Sequence, residues 1–358
     1  MGGLMSSINK KKLPELQVFS GIAILCVVLI HSNAYYLLQV LNLQSYLDAE
    51  FVVRLLDNFI HGSVPMFIFI AGYKYALNNV NDEYKKYAFK KVKSVIKPFL
   101  VISMIYFIKN IIVNVDYFNN LKTIAIEFIN IFRGYNTAYQ LWYIPMYIFI
   151  TLTYPILYKI FKNNKVRVLM IFIIILIQKI LGIKMYLLSS HPFDFVYYYI
   201  FFEMGLIFYK YNVKSKIEKW DVKIISFYIV SVIILTFNPL PRLYGIIQSY
   251  LLWPLCIVAY YLLSLRLVSN GILNYLGKYS FYIFLLHEPI ICTKISSIFK
   301  YIGIYNSIIY VFIVCILTII TTMILFKIIE NTFIKNILFN REKNINIEPR
   351  VKSNVIAE

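Results

Sequence analysis

Residues 15–32 read ELQVFSGIAILCVVLIHS. After Glu15 the stretch has no acidic or basic side chain except the imidazole of His31. An ordinary surface helix alternates a polar face with an apolar one. A helix that is apolar all round belongs in a large core or in a membrane. The apolar run continues to about residue 38, so a predicted helix over 17–38 is long enough to cross the ~30 Å hydrocarbon layer of a bilayer. It is too long for a cleavable leader and lacks a small-residue cleavage site, so it reads as a retained helix.

The rest of the 358-residue chain is of the same kind. Sixty per cent of residues are hydrophobic and 15% are charged, with a mean hydropathy of +0.69. Soluble domains carry nearer ~25% charged residues, and so much apolar surface needs lipid as its solvent. Further spans are predicted at 59–79, 95–114, 141–160, 166–183, 196–211, 223–238, 245–265, 277–298 and 304–329. Ten spans put both termini on one side. Of the 36 Lys and Arg residues, 26 then fall on the terminal side, six on the other and four within spans. By the positive-inside rule the terminal side is the cytoplasm. The predicted fold is therefore all-α: a polytopic membrane bundle of about ten transmembrane helices with both termini cytoplasmic. It forms one membrane domain over 1–340, followed by a polar cytoplasmic tail over 341–358.

The net charge of +19 does not indicate a nucleic-acid partner, because the basic residues are spread between apolar runs. They suit loops that orient helices against anionic lipid. Cys26, Cys256, Cys292 and Cys315 all lie in apolar runs without CxxC spacing and read as packing residues. No internal repeat is evident, which counts against the repeat-built transporters.

Ionisable residues inside spans are costly and so mark candidate sites. Helix one runs outward, which puts His31 about 21 Å above its start, and helix nine puts His287 about 15 Å up. His61 lies at the outer mouth of helix two, and Trp142 and Tyr143 in the outer half of helix four. Glu203 is expected near the midplane, with Lys179 or Lys109 as a structural partner. These groups could share a cavity open to the outer leaflet. The alternatives are interhelical hydrogen bonds for the histidines and an aromatic belt for Trp142. His191 falls in an outer loop. His31, His61 and His287 follow no local zinc-ligand spacing, so no metal is expected. Lys90, Lys91, Lys93 and Lys97 lie on the cytoplasmic side, just before Pro98, where a helix is predicted to open. Besides fixing topology, lysines at a helix N-terminus can hold phosphates.

In this order the motifs resemble the acyltransferase-3 family of membrane acyltransferases over most of residues 15–330. ELQVFSGIAILCVVLIHS is similar to the family's opening helix, which ends in a histidine. VPMFIFIAGY, KKVKSVIKPFL, QLWYIPMYI and LGKYSFYIFLLHEPI resemble its later motifs. The resemblance implies transfer of an acyl group, usually acetyl, from cytoplasmic acyl-CoA as co-substrate to a hydroxyl of a cell-surface glycan or glycan precursor. No cofactor is expected to stay bound. His31 matches the family's catalytic histidine, able to serve as general base or acyl relay. His287, Trp142, Tyr143, Glu203 and His61 would line the acceptor side, and the lysines would steer the donor. The chain departs from the family at Ser20, and at Lys91 and Ser94, where arginines are usual. No counterpart of the family's fused extracellular hydrolase-like domain is expected. A non-enzymatic exporter or flippase for a glycan precursor is the alternative. Expected partners are membrane lipid, the glycan acceptor and other glycan-synthesis proteins. The Ile-, Lys-, Asn- and Tyr-rich composition suggests a bacterial plasma membrane.

Overall fold

A computed structural model describes residues 13–36, 50–78, 84–133, 138–180, 195–237, 241–303 and 307–332. Both termini, the expected tail 341–358 and His191 lie outside the described residues. Among those residues every regular element is helical. The chain begins with α1 (Pro14–Tyr35), α2 (Phe51–Ile60) and α3 (Ser63–Leu77). Next come α4 (Tyr84–Lys91), α5 (Lys97–Val113), α6 (Leu121–Arg133), α7 (Tyr143–Ile160), α8 (Asn164–Ile180) and α9 (Tyr199–Lys210). Short α10 (Val213–Ile217) leads to α11 (Asp221–Phe237), α12 (Pro241–Ile247) and α13 (Trp253–Arg266). The described part closes with α14 (Gly271–Leu286), α15 (Cys292–Ile302) and α16 (Ser307–Glu330).

Among the described residues eight helical stretches are long and apolar enough to cross a membrane, and they fall on predicted segments one to four and seven to ten. The two remaining segments correspond to α8 and α9, which run for 17 and 12 residues there. Short α9 is packed deep inside the bundle, with Phe201, Phe202 and Glu203 all but inaccessible.

The third predicted helix does not open at Pro98. α4 and α5 are joined through a π turn at Val92–Ile96, so helical structure runs unbroken through the proline. Proline supplies no N–H to the carbonyl four residues back and crowds it. That carbonyl belongs to Ser94, inside the π turn. Pro254 follows the same plan, its fourth residue back, Tyr250, lying in the π turn Gln248–Leu252. The wider turn accommodates what a regular α-helix would not.

α1 is the axis of the bundle, and its apolar window is 72% buried. It packs on α2, α3, α13, α14, α15 and α16, with Phe19 edge-on to both Phe69 and Tyr261. Its closest neighbour is α14. A Cβ on Gly21 would overlap the Leu273 carbonyl, and one on Gly277 would overlap the Gln17 carbonyl. Only glycine lets two backbones approach so closely. Ten residues beyond Gly21 is His31, and ten beyond Gly277 is His287, so the two helices run parallel and in register. A second glycine crossing, Gly72 with Gly205, joins α3 to α9 in the same way.

Candidate active site

The site is built on a helix break. The residue before a proline is driven out of the α region, and Glu288, preceding Pro289, is extended (φ −128°, ψ 157°). Helix α14 therefore stops at Leu286: the His287 N–H still bonds the Ile283 carbonyl, and the carbonyls beyond it lose their regular partners. Side chains replace them. His287 Nδ1 lies 2.9 Å from the carbonyls of both Ile283 and Phe284. The Tyr106 hydroxyl donates to the Leu285 carbonyl at 2.9 Å, and Gln140 Nε2 donates to the Glu288 carbonyl. Carbonyl oxygens only accept, so Nδ1 of His287 carries the proton. Its Nε2 is left as a bare lone pair, buried and without a hydrogen-bond partner.

His31 reaches the same place from α1. Its ring lies 5.0 Å from that of His287, at 62°. His287 is fully buried and His31 partly so. The helices start at Pro14 and Gly271, so both histidines sit about 25 Å along their helices at 1.5 Å per residue. The expected difference in depth disappears because α14 begins six residues earlier than predicted. The pair has the makings of acid–base chemistry: two imidazoles in contact, one with its tautomer fixed by backbone.

Around the pair is a shell the sequence reading did not weigh. The Tyr35 hydroxyl and Thr293 Oγ1 are 2.6 Å apart and lie 3.2 and 3.1 Å from Glu288 Oε2. The other oxygen of Glu288 has no partner, although the residue is 3% exposed. Gln140 is placed by the 3₁₀ turn Tyr139–Trp142, which leads into α7. An acidic residue between a histidine and a proline, inside an apolar run, was the visible signal for Glu288. Gln140 left no comparable signal.

The other expected residues are dispersed. Tyr143 packs on Phe284 at 5.3 Å, and Phe284 on His287 at 6.0 Å, which keeps Tyr143 beside the site. Trp142 lies one ring further out, against Tyr143 and Tyr198. His61 belongs to a separate cluster. Its Nδ1 is 2.9 Å from Asp57 Oδ1, and its ring stacks on Trp253 at 6.0 Å. Next to Asp57, Asn58 bonds Thr236, Tyr244 and Gln248. Glu203 is held by Arg167 through two bonds of 3.0 and 2.9 Å and by Tyr154. Lys109 is not its partner, its Nζ lying 3.3 Å from Asn110 Oδ1, and the Lys179 side chain lies outside the described residues. Arg167, one of the 26 basic residues assigned to the cytoplasmic side, at the start of predicted segment five, is fully buried, and its Nη1 also donates to the carbonyls of Phe161 and Lys162. Glu203 thus ties α8 and α9 to the end of α7, and among the described residues no contact joins it to the histidines.

The lysine cluster divides by direction. Lys90, Lys93 and Lys97 are exposed. Lys91 turns inward, 2.5 Å from the Tyr147 hydroxyl and 5.5 Å from the Tyr87 ring centre. None of the four stands at a free helix N-terminus, since α4 continues through the π turn into α5. The dipole part of the expected anion clamp is therefore missing, and charge alone remains. A cavity of about 790 Å³ lies where α1 begins and α3 and α9 end. Glu15, Tyr73, Tyr75, Tyr158, Tyr209, Lys210 and Lys214 are among its walls, and Tyr75 is 6.1 Å from Tyr87. Among the described residues no group of three His, Cys, Asp or Glu could hold a metal ion.

No curated protein and no solved structure matches this chain. The model of the acyltransferase-3 family, described as an acyltransferase domain, matches residues 13–327. That span takes in every helix named above except the last turn of α16. It begins just before the helix that carries His31 and includes the kink that positions His287. The chain belongs to the acyltransferase-3 family and is a multi-pass membrane acyltransferase.

Proposed function

We propose that this enzyme transfers an acyl group, acetyl in the first instance, from cytoplasmic acyl-CoA to a hydroxyl of a cell-surface glycan or glycan precursor. Its setting in this reading is a bacterial plasma membrane. The observation that carries the proposal is the contact between His31 and His287 inside an otherwise apolar bundle. Buried imidazoles need a purpose or a partner, and His31 has no side-chain hydrogen bond among the described residues.

In the reaction the acceptor hydroxyl gives its proton to an imidazole nitrogen and its oxygen bonds to the acyl carbon. The carbon–sulfur bond breaks, and the coenzyme A thiolate leaves and takes up a proton. His31 either receives that first proton or carries the acyl group for one step between donor and acceptor. His287, held by its Nδ1–H, presents one defined nitrogen to the same space. Lys91 and the cavity beside α3 and α9 suit the donor, whose phosphates seek cations and whose adenine stacks on aromatic rings.

The test is His31→Ala in purified full-length protein, with thiol release from acetyl-CoA and acetylation of isolated surface glycan as the two readouts. Loss of about 10²-fold or more in both is expected if the imidazole acts as general base. Unchanged rates in a folded variant would remove His31 from the mechanism.

A further inference from the structure

Between predicted spans three and four, where the sequence predicts a loop, the chain forms α6 (Leu121–Arg133). The helix is amphipathic, and it is turned the wrong way round for water. Its polar Glu127 and Asn130 face the protein, 6% and 7% exposed. Leu121, Ile126, Phe128, Ile129 and Phe132 face outward, with Leu121 83% and Ile129 60% exposed. At 3.6 residues per turn these five lie on one side of the helix, opposite Glu127. A surface helix in water hides its apolar face and shows its polar one. Apolar surface exposed in one patch marks contact with a membrane or with another protein.

The level of α6 in the bundle chooses between the two. The ring of Phe107, on α5, lies 6.0 Å from Phe118 and 6.0 Å from Phe128. Phe107 stands six residues before Val113, where α5 ends. So α6 crosses α5 about 9 Å below that end, at 1.5 Å per residue. The stretch that contains α5 is apolar enough to cross a membrane. Its Ile105, Ile108 and Ile112 are exposed too, so lipid already has to cover the neighbouring helix. Helices that lie along a membrane sink their apolar face about 5–10 Å into the boundary between head groups and acyl chains, and the crossing falls in that range.

We propose that α6 is a lipid-docking arm in the leaflet opposite the lysine cluster. Ile126, Phe128, Ile129 and Phe132 lie among acyl chains, while Glu127 is held inward and accepts from the Tyr117 hydroxyl at 2.8 Å. The arm leads to the candidate active site. Gln140, seven residues after Arg133, donates to the Glu288 carbonyl at the helix break. The lipid that seats α6 therefore anchors one end of the segment that reaches the break.

The experiment uses the full chain in phosphatidylcholine nanodiscs, with a nitroxide label on Ile126→Cys or Ile129→Cys. Asp116→Cys, exposed in the turn before α6, is the control. Cys26, Cys256, Cys292 and Cys315 are buried, and the unsubstituted protein measures any background from them. Electron paramagnetic resonance then compares collisions with molecular oxygen, which concentrates in hydrocarbon, and with a nickel chelate, which stays in water. Oxygen should dominate at 126 and 129 and nickel at 116, so the logarithm of their ratio changes sign between turn and helix. Nickel dominating at both helix positions would place the face in water and overturn the proposal. Exclusion of both reagents would overturn it too, by showing a protein cover such as a second copy of the chain. A second measurement needs no variant: a phospholipid with a diazirine in its acyl chain, photolysed with the unsubstituted protein, should leave adducts on residues 121–132. Adducts on α5 with none on α6 would equally refute the arm.

Discussion

Replacing Gly277 by alanine tests whether the spacing of α1 and α14 sets the geometry of the histidine pair. The added Cβ would lie 2.7 Å from the carbonyl carbon of Gln17, and still nearer its oxygen, where ordinary contact begins at 3.4 Å. The nearer oxygen sets the demand, so the helices must part by more than about 1 Å, a shift that typically costs about 1–3 kcal/mol in a packed core. The crossing is ten residues, about 15 Å, from the His31–His287 contact. Two stiff parallel helices pushed apart at the crossing carry the displacement to their rings. A misplacement of ~1 Å at reacting groups can cost about 10²-fold in rate. Gly277→Ala should thus lower kcat for thiol release from acetyl-CoA by roughly 10- to 100-fold. KM for the donor should change less than kcat, because the lysines and most of the cavity wall lie on other helices and α1 contributes only its first turn, at Glu15. Gly205→Ala is the control. It strains the α3–α9 crossing just as severely, so it should lower the unfolding temperature similarly with a smaller effect on kcat. A Gly277→Ala enzyme with normal kcat, or a Gly205→Ala enzyme with the greater loss, would refute the argument that the glycine crossing positions the histidines.

Two further outcomes follow from the charged residues. Glu203→Leu alone should destabilise the protein by about 3–5 kcal/mol by stranding buried Arg167, whereas the double variant Arg167→Leu/Glu203→Leu should recover most of that loss; thermal unfolding of the three proteins in one detergent measures both. Lys91→Met should raise KM for acetyl-CoA several-fold, and Lys93→Met should leave it near normal, because only Lys91 faces inward. Equal effects would mean that the cluster acts through net charge at the membrane surface.

The apolar segments were legible because the bilayer imposes one length and one solvent, and eight of them reappear with shifted ends. His31 and His287 were legible because an imidazole in an apolar run has few innocent explanations. Their contact was not, since it depends on a register between segments 256 residues apart, and nothing local in either segment records that Gly21 meets Gly277. Glu203 was placed at a plausible depth, yet its partner was misread: Arg167 looks like a cytoplasmic-side residue until α8 and α9 pack on the end of α7. Pro98 was read as a helix start because proline favours the first turn. The π turn that lets the helix pass through it is a response to the proline, and no sequence pattern announces it. Gln140 stayed hidden because a single amide beside a tryptophan carries no signal of its own.

The pairing of α1 with α14 also sets when this enzyme can exist. A chain made at roughly 5–20 residues per second needs on the order of 10–50 s after His31 is synthesised before His287 follows. During that interval α1, the helix destined for the centre, has neither α14 nor α16 beside it. The seam around Gly21, Ser32 and His31 must then be exposed to lipid or covered by something else in the membrane. Contacts so distant in sequence form late and leave apolar surface open to wrong partners. A ribosome that stops short of residue 271 would release a protein with many of its spans, a complete α1 and one half of the histidine pair. For this architecture, quality control in the membrane has to recognise an unaccompanied first helix.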